Sequence, residues 1–437
     1  MKESYYNLYA KLPNGRAICF NTCYHSFANL PFEVFNLLRE GKIDCIPDKY
    51  VSTLKNNGFL QDADIDEYKM LEEEYHTAIS ANNQTYELTL LPTLDCNLRC
   101  WYCFESHIKG SRLEKATQEN MLKFINSIYQ KGNISHINVE LFGGEPLLYF
   151  KEELYPLLEQ VKNMAEKYDK SVSFFFVTNA TCITEDMMPL FANLKARFQI
   201  SIDGYKDKHN KVKKDISRKG EPTYQRVIGI IRRLTASYPE CYINLRINYD
   251  NKTLTHISEL LQDIEGIEPS RLGFHLERVW QTEAESDASI SVKDAILMIL
   301  RSGYTVSYMN FSRRSCSCKT SRTNQAVISY DGKVYKCSGR DFTDELQEGL
   351  LTDNGKIEWQ EEKLQKRLDK VTFNDPRCKK CKMLPLCWGP CNQKLLEHPD
   401  RHESYCQLNN MEISLEDYIF VAFNNELLKR NIYQTNE

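Results

Sequence analysis

The sequence predicts an α/β protein built as a partial, TIM-like (β/α)6 barrel over 86–305. A small α+β unit precedes it over 1–80, a cysteine-rich region follows over 306–410, and a helix closes the chain over 411–437. Three observations carry this expectation. From about residue 86, six apolar strand-like runs alternate with segments of helical period, as in a parallel sheet with crossover helices. That rhythm stops near residue 305. The 16 cysteines are also unevenly placed. Three fall within 96–103 and eight within 316–406, while Cys19, Cys23, Cys45, Cys182 and Cys241 are scattered.

In chain order, Tyr5 to Leu12 and Ala17 to Asn21 read as strands around Pro13-Asn14-Gly15, a hairpin signal. Pro31 to Arg39 and Lys49 to Asn57 read as short helices, followed by Gly58-Phe59-Leu60. The acidic stretch Asp62 to Glu74 reads as a helical or mobile linker. The barrel strands are Glu87–Leu91, Ile137–Phe142, Val172–Val177, Phe198–Ile202, Tyr242–Ile247 and Leu272–Val279. Helices are expected over Glu114–Gln130, Glu152–Lys167, Glu185–Ala192, Tyr224–Ala236, Leu254–Ile264 and Val292–Arg301. In the first, Met121, Leu122, Phe124, Ile125 and Ile128 form one apolar face. Six strands fall short of the eight of a closed barrel, hence the partial one.

With 56 basic and 60 acidic residues, charge gives no argument for nucleic acid or a membrane surface as partner. The opening MKESYYNLYA lacks a basic-then-apolar signal, and no apolar run approaches the roughly 20 residues of a membrane span. A cytoplasmic protein is expected. In a reducing compartment clustered cysteines point to metal rather than to disulfides.

Cys96, Cys100 and Cys103 sit on one loop after the first barrel strand. Three such thiolates can hold three irons of a cubane and leave the fourth open to a ligand. Spacing alone leaves open a zinc site completed by a residue such as His107. The motif, with Tyr102 as the aromatic before the last cysteine, resembles that of the radical S-adenosylmethionine (SAM) superfamily. The resemblance implies that the open iron binds SAM and that reductive cleavage yields a 5′-deoxyadenosyl radical. Further matches follow successive strands. Gly143-Gly144-Glu145-Pro146 resembles the segment that contacts the SAM ammonium. Thr178-Asn179-Ala180-Thr181 resembles a Thr-Asn-Gly-Thr segment, with Ala180 in place of glycine. Ser201-Ile202-Asp203-Gly204 resembles the segment whose serine lies near SAM. Lys213 and Arg218 are both candidates for the SAM carboxylate.

The second set is Cys316, Cys318, Cys337, Cys378, Cys381, Cys387, Cys391 and Cys406, with Tyr330 to Cys337 reading as a hairpin. Its spacing resembles the SPASM extension, which implies two auxiliary [4Fe–4S] clusters and three in all. By that resemblance Cys316, Cys318, Cys337 and Cys391 hold one, and Cys378, Cys381, Cys387 and Cys406 the other. If one of Cys316 and Cys318 is free, the first auxiliary cluster has an open iron. Cysteine count alone also permits a pair of zinc sites.

Three functions compete. The first is a maturase that crosslinks a ribosomally made precursor peptide, with residues 1–80 weakly resembling a winged-helix leader-binding unit and a flavodoxin or ferredoxin as reductant. The second is an anaerobic sulfatase maturase forming formylglycine from Cys or Ser. In that family an Asp follows the cysteine equivalent to Cys337; here Ser338 stands there and Asp341 is three further on. The third is an electron-transfer or binding protein with degenerate SAM chemistry.

Overall fold

In a computed structural model, residues 1–80, 83–250, 252–282, 290–309, 311, 318–369, 375–401 and 403–434 are described. Cys316 lies outside them. The chain forms two compact units. One comprises 81–308 and 323–366, and the other 1–80, 309–322 and 367–437, so each is assembled from distant stretches.

The first unit is built on one 11-stranded sheet. Its strands are β1 (Thr85–Leu91), β2 (His136–Leu141), β3 (Ser171–Thr178), β4 (Arg197–Ile202), β5 (Ile243–Tyr249), β6 (Leu272–Arg278), β7 (Thr305–Tyr308), β8 (Gln325–Ser329), β9 (Lys333–Tyr335), β10 (Gly349–Leu351) and β11 (Ile357–Trp359). They lie in the order β7-β6-β5-β4-β3-β2-β1-β8-β9-β10-β11. Pairing from β7 through β8 is parallel, and β9 to β11 add antiparallel strands. Among the described residues no ladder joins the two ends of this order, so the barrel is not closed. Helices Lys115–Gln130, Tyr155–Lys167, Met188–Leu194, Tyr224–Ser237, Ile257–Asp263 and Val292–Arg301 fall where the periodicity predicts them.

The six predicted strands are present, and the structure corrects the count by adding β7 and β8 to the parallel run. Neither had a long apolar signal. The former has four residues, and the latter lies in the cysteine-rich stretch with no crossover helix before it among the described residues. Its five residues are all buried because β1 and β9 flank it. The expected hairpin forms from β8 and β9, with Cys337 two residues past its end.

In the second unit, Asn7–Leu12, Arg16–Asn21 and Ser26–Pro31 form an antiparallel meander. The third strand is not in the sequence-based reading, because it runs directly into helix Phe32–Arg39 and ends on Pro31. Ala17, Cys19, Leu30, Val34, Leu38, Leu54 and Phe59 form its core. The acidic stretch becomes helix Glu67–Ile79, capped by Asp66, whose side chain accepts from the Lys69 amide. The buried Glu67 accepts from Ser4 Oγ at 2.5 Å and the Tyr5 amide at 2.9 Å, which fixes the helix rather than leaving it a linker. The closing helix spans Leu415–Gln434, and its Phe423 packs against Phe27. Among the described residues no helix is long and apolar enough to cross a membrane.

Candidate active site and cysteine clusters

Parallel strands place their carboxyl ends along one edge, and the loops there form the site. The loop after β1 carries the first three cysteines, buried at Cys96, half-buried at Cys100 and exposed at Cys103. Asp95 closes this loop: Oδ1 accepts from the Cys96 amide and Oδ2 from the Gly110 amide, both at 2.8 Å. Leu91 and Leu94 pack beneath it on Val327, Tyr335 and Phe342. Burial pushes the Cys96 thiol up and the Cys103 thiol to about 11, so a metal must displace the proton for thiolates to form. The His107 ring lies 3.6 Å from Cys103 Sγ. Among the described residues no three His, Cys, Asp or Glu side chains converge as around a single metal ion.

Beside the loop is a pocket of ≈ 250 Å³. Cys96, Cys100 and Cys103 line it with Tyr102, Gly143, Gly144, Thr178, Asn179, Ser201 and Lys213, so most of the predicted residues converge. Gly144 is a close approach: a Cβ there would sit 2.1 Å from the Asp95 carbonyl oxygen, and its φ is +41°. Ala180 adopts φ +65°, the conformation a glycine would give, with its amide donating to Thr178 Oγ1 at 2.9 Å. Its replacement of glycine therefore leaves the turn intact.

Of the two basic candidates the structure separates one from the pocket. Lys213 is buried, with Nζ 3.0 Å from Ser201 Oγ, 3.8 Å from Cys100 Sγ and over the Tyr102 ring. Arg218 does not line the pocket and lies 3.9 Å from Asp215 with its side chain largely exposed, because the turn at 216–218 carries it outward. Pro146 is buried behind the wall and does not line the pocket either.

Glu145 is wholly buried and also absent from the lining. Its Oε1 accepts from Thr178 Oγ1 at 2.6 Å and the Leu147 amide at 3.1 Å, and its Oε2 from the Asn179 amide at 2.8 Å. It fixes the turn after β3 from behind. Two carboxylates do line the pocket, Glu277 and Glu105, and Glu105 Oε2 accepts from the Gly144 amide at 2.6 Å. Burial pushes its carboxyl up to about 7. The sequence-based reading passed over Glu105, which lies two residues beyond the cysteine motif. It quoted Asp203 only as part of the segment after β4, without a role, and passed over Asn248; Asp203 accepts from Tyr102 OH at 2.7 Å, and Asn248 Nδ2 reaches Tyr102 OH at 3.2 Å. Arg246 and Asn248 alternate along β5, a period-2 signal visible only once the pocket-facing side of the strand is known. A donor set of three sulfurs beside a wall bearing both an ammonium and a carboxylate fits a cubane with an open iron and a zwitterionic ligand.

Cys378, Cys381, Cys387 and Cys406 line one pocket of ≈ 270 Å³ in the second unit. Burial pushes the Cys378 and Cys387 thiols up to about 12. The chain turns sharply after Cys387, with Trp388 at φ +56° and Gly389 at φ +94°. Cys318 and Cys391 belong to the same unit and Cys337 to the other. The Cys318 sulfur accepts from Thr320 Oγ1 at 3.3 Å, and the Cys337 sulfur from the Gly339 amide at 3.4 Å.

Residues 90–264 match the Radical SAM superfamily. A cysteine-type anaerobic sulfatase-maturating enzyme of Clostridium novyi is 25% identical over 334 residues, covering 68% of this chain and 85% of that protein. The structure of histidine-tagged anSMEcpe with bound AdoMet superposes with a TM-score of 0.55 at 21% identity, covering 80% of this chain and 94% of that one. Streptococcus suis SuiB bound to precursor peptide SuiA superposes with a TM-score of 0.50 at 16% identity, covering 93% of this chain and all of the other.

Proposed function

Residues 90–264 are a radical SAM domain, and on that premise we propose that the chain is a SPASM-type peptide maturase that crosslinks a ribosomally made precursor peptide. The pocket at the carboxyl ends of the strands supports the first half of this reading, since it gathers the three-cysteine loop, the glycine turn and Lys213. Cys96, Cys100 and Cys103 would hold a [4Fe–4S] cluster there, which with SAM would supply the reducing electron and the hydrogen-abstracting chemistry. Gly143, Gly144, Thr178, Asn179, Ser201 and Tyr102 shape the SAM site, and Lys213 supplies a cation for the SAM carboxylate. Two auxiliary clusters follow from the remaining cysteines. Cys378, Cys381, Cys387 and Cys406 line one pocket and form one ligand set. For the other, the ligand assignment rests on the sequence resemblance alone, which names Cys316, Cys318, Cys337 and Cys391. A flavodoxin or ferredoxin would deliver electrons.

The observation that carries the peptide-maturase reading is the N-terminal meander and helices of residues 1–79. SuiB, whose fold extends over 93% of this chain, was solved with a precursor peptide. The anSMEcpe fold extends over 80%. Residues 1–80 are the leader-binding part of the proposal, by strand addition to the meander.

The second reading, formylglycine formation, is favoured by the curated relatives. It needs a base for the side-chain proton. Asp341, the nearest candidate in sequence, has both oxygens engaged, accepting from the Ser106 amide at 2.8 Å and Ser106 Oγ at 2.5 Å. It is absent from the pocket lining. The deciding experiment incubates reconstituted, reduced protein with SAM and either a neighbouring-gene precursor peptide or a sulfatase peptide. Loss of two hydrogens from the precursor, without a new aldehyde, is expected. A hydrazide-reactive aldehyde on the sulfatase peptide alone would establish the second reading instead.

A further inference from the structure

We propose that the basic segment 206–219, which follows β4, is the docking face for a small acidic electron-carrier protein that reduces the cluster at Cys96, Cys100 and Cys103. This deepens the radical SAM reading above and rests on it. The near-balanced charge of the whole chain conceals the segment: seven of its residues are Lys or Arg and two are Asp. Lys206, Lys211, Lys214, Arg218 and Lys219 are exposed, as is Asp207. The other acid, Asp215, is buried and accepts from Arg226 at 3.0 Å. Arg226 also pairs with Glu221 at 3.0 Å, and Lys208 with Asp250. Arg218 reaches Asp215 only at 3.9 Å. Among the described residues none forms an ion pair with the ammonium groups of Lys206, Lys211, Lys214 or Lys219. Uncancelled charge of one sign on a surface steers an oppositely charged partner to it.

Two further observations select the occupant. The first is position. The Ile216 amide donates to the Asn97 carbonyl at 2.9 Å, and Asp215 pairs antiparallel with Leu98, so the segment flanks the cysteine loop. Lys213 and Lys214 are consecutive, yet Lys213 Nζ lies 3.8 Å from Cys100 Sγ and Lys214 is exposed. The chain thus passes from a cluster thiol to solvent in one residue, and electron tunnelling falls steeply with distance. The second is Ile216, which is 49% exposed among these cations. An apolar contact with a charged rim is the make-up of a small protein interface, as redox partners use. A nucleic acid would use the charge but gain nothing from the isoleucine or from the cysteine loop. In the transfer the reduced carrier loses one electron and the cluster gains it; no bond forms or breaks.

The test uses anaerobically reconstituted full-length protein, with purified flavodoxin as the acidic carrier. Affinity is read by titration calorimetry, with iron content and melting temperature in parallel. SAM cleavage is driven in turn by reduced flavodoxin and by dithionite, which needs no docking face. The variant carrying Lys211→Glu, Lys214→Glu and Lys219→Glu should keep its iron, its melting temperature and dithionite-driven cleavage. It should bind flavodoxin about 10–100-fold more weakly at low salt, and flavodoxin-driven cleavage should fall with it. Salt at about 0.5 M should erase the difference by screening. Lys131→Glu with Lys167→Glu, exposed lysines where helices lead into the amino ends of β2 and β3, should change neither. If the charge-reversed variant loses iron, Lys211→Gln, Lys214→Gln and Lys219→Gln are read in its place. Unchanged flavodoxin affinity in an iron-replete variant overturns the inference, as does an equal loss in the control or tighter binding of a DNA duplex than of flavodoxin. Iron-replete wild type that cleaves no SAM with dithionite overturns the radical SAM reading itself.

Discussion

At Gly144 the backbone leaves no room for a side chain, because a Cβ would meet the Asp95 carbonyl oxygen at 2.1 Å. Asp95 also holds the cysteine loop closed. Gly144→Ala should therefore cost about 1–3 kcal/mol from the left-handed backbone alone. It should also lower iron retention at the first site, which thermal melting and an iron assay would read; unchanged melting would show that the loop yields freely. Lys213 gives a second prediction. Lys213→Gln should weaken SAM binding by about 1.5–3 kcal/mol, the range for a charged hydrogen bond. Arg218→Ala should leave it unaltered, because that side chain stands outside the pocket on Asp215. Equal losses in the two variants would mean that the basic partner is misassigned. Both positions were legible in the sequence as alternatives. Burial separates them, and burial depends on the turn at 216–218.

Among elements, helix Glu67–Ile79 carries a role that its acidic sequence conceals. Leu71 and Tyr75 pack with Tyr6, Cys23, Leu384 and Trp388, and Cys378 packs against this group. Thr22 Oγ1 donates to the Lys382 carbonyl at 2.5 Å, and Lys382 Nζ to the Asn7 carbonyl at 3.1 Å. The N-terminal elements thus brace the segment bearing Cys378, Cys381 and Cys387. A chain starting at Tyr86 should lose about a third of its iron, one cubane of three, along with peptide affinity. Tyr75→Ala, which removes one buried aromatic, should cost roughly 3 kcal/mol and loosen the same cluster. Full iron in the truncated protein would make residues 1–80 dispensable to that site. The third strand, Ser26–Pro31, shows why this region was only partly readable. Its pairing with Arg16–Asn21 comes from the meander rather than from a strong alternation of its own.

For the whole molecule, the eleven cysteines proposed as ligands would hold about twelve irons in three cubanes. Changing Cys96, Cys100 and Cys103 together to Ala should leave about two thirds of the iron and no SAM cleavage. Stoichiometric zinc after anaerobic purification would defeat the proposal. Removing iron by chelation should lower the melting temperature, because clusters bind the folded chain and stabilise it by mass action. Failure of chelation to shift melting would show that the cysteine regions are held by packing alone.

The sequence by itself determined the chemistry-bearing loops and their order, because cysteine spacing and strand–helix alternation are local patterns. The three-cysteine loop, the glycine turn after β2 and the hairpin ahead of Cys337 are all local in this sense. Tertiary structure alone decided which side chains face the pocket. Glu145 stands in the glycine motif and Glu105 two residues past the third cysteine, but neither local setting tells which carboxylate faces the pocket. One is fully buried behind the turn after β3, and the other bonds across the chain to Gly144. The same holds for β8, whose five residues became a sheet strand because β1, far earlier in the chain, offered a free edge. Burial and strand pairing are properties of distant segments meeting, and a period read along one segment does not contain them.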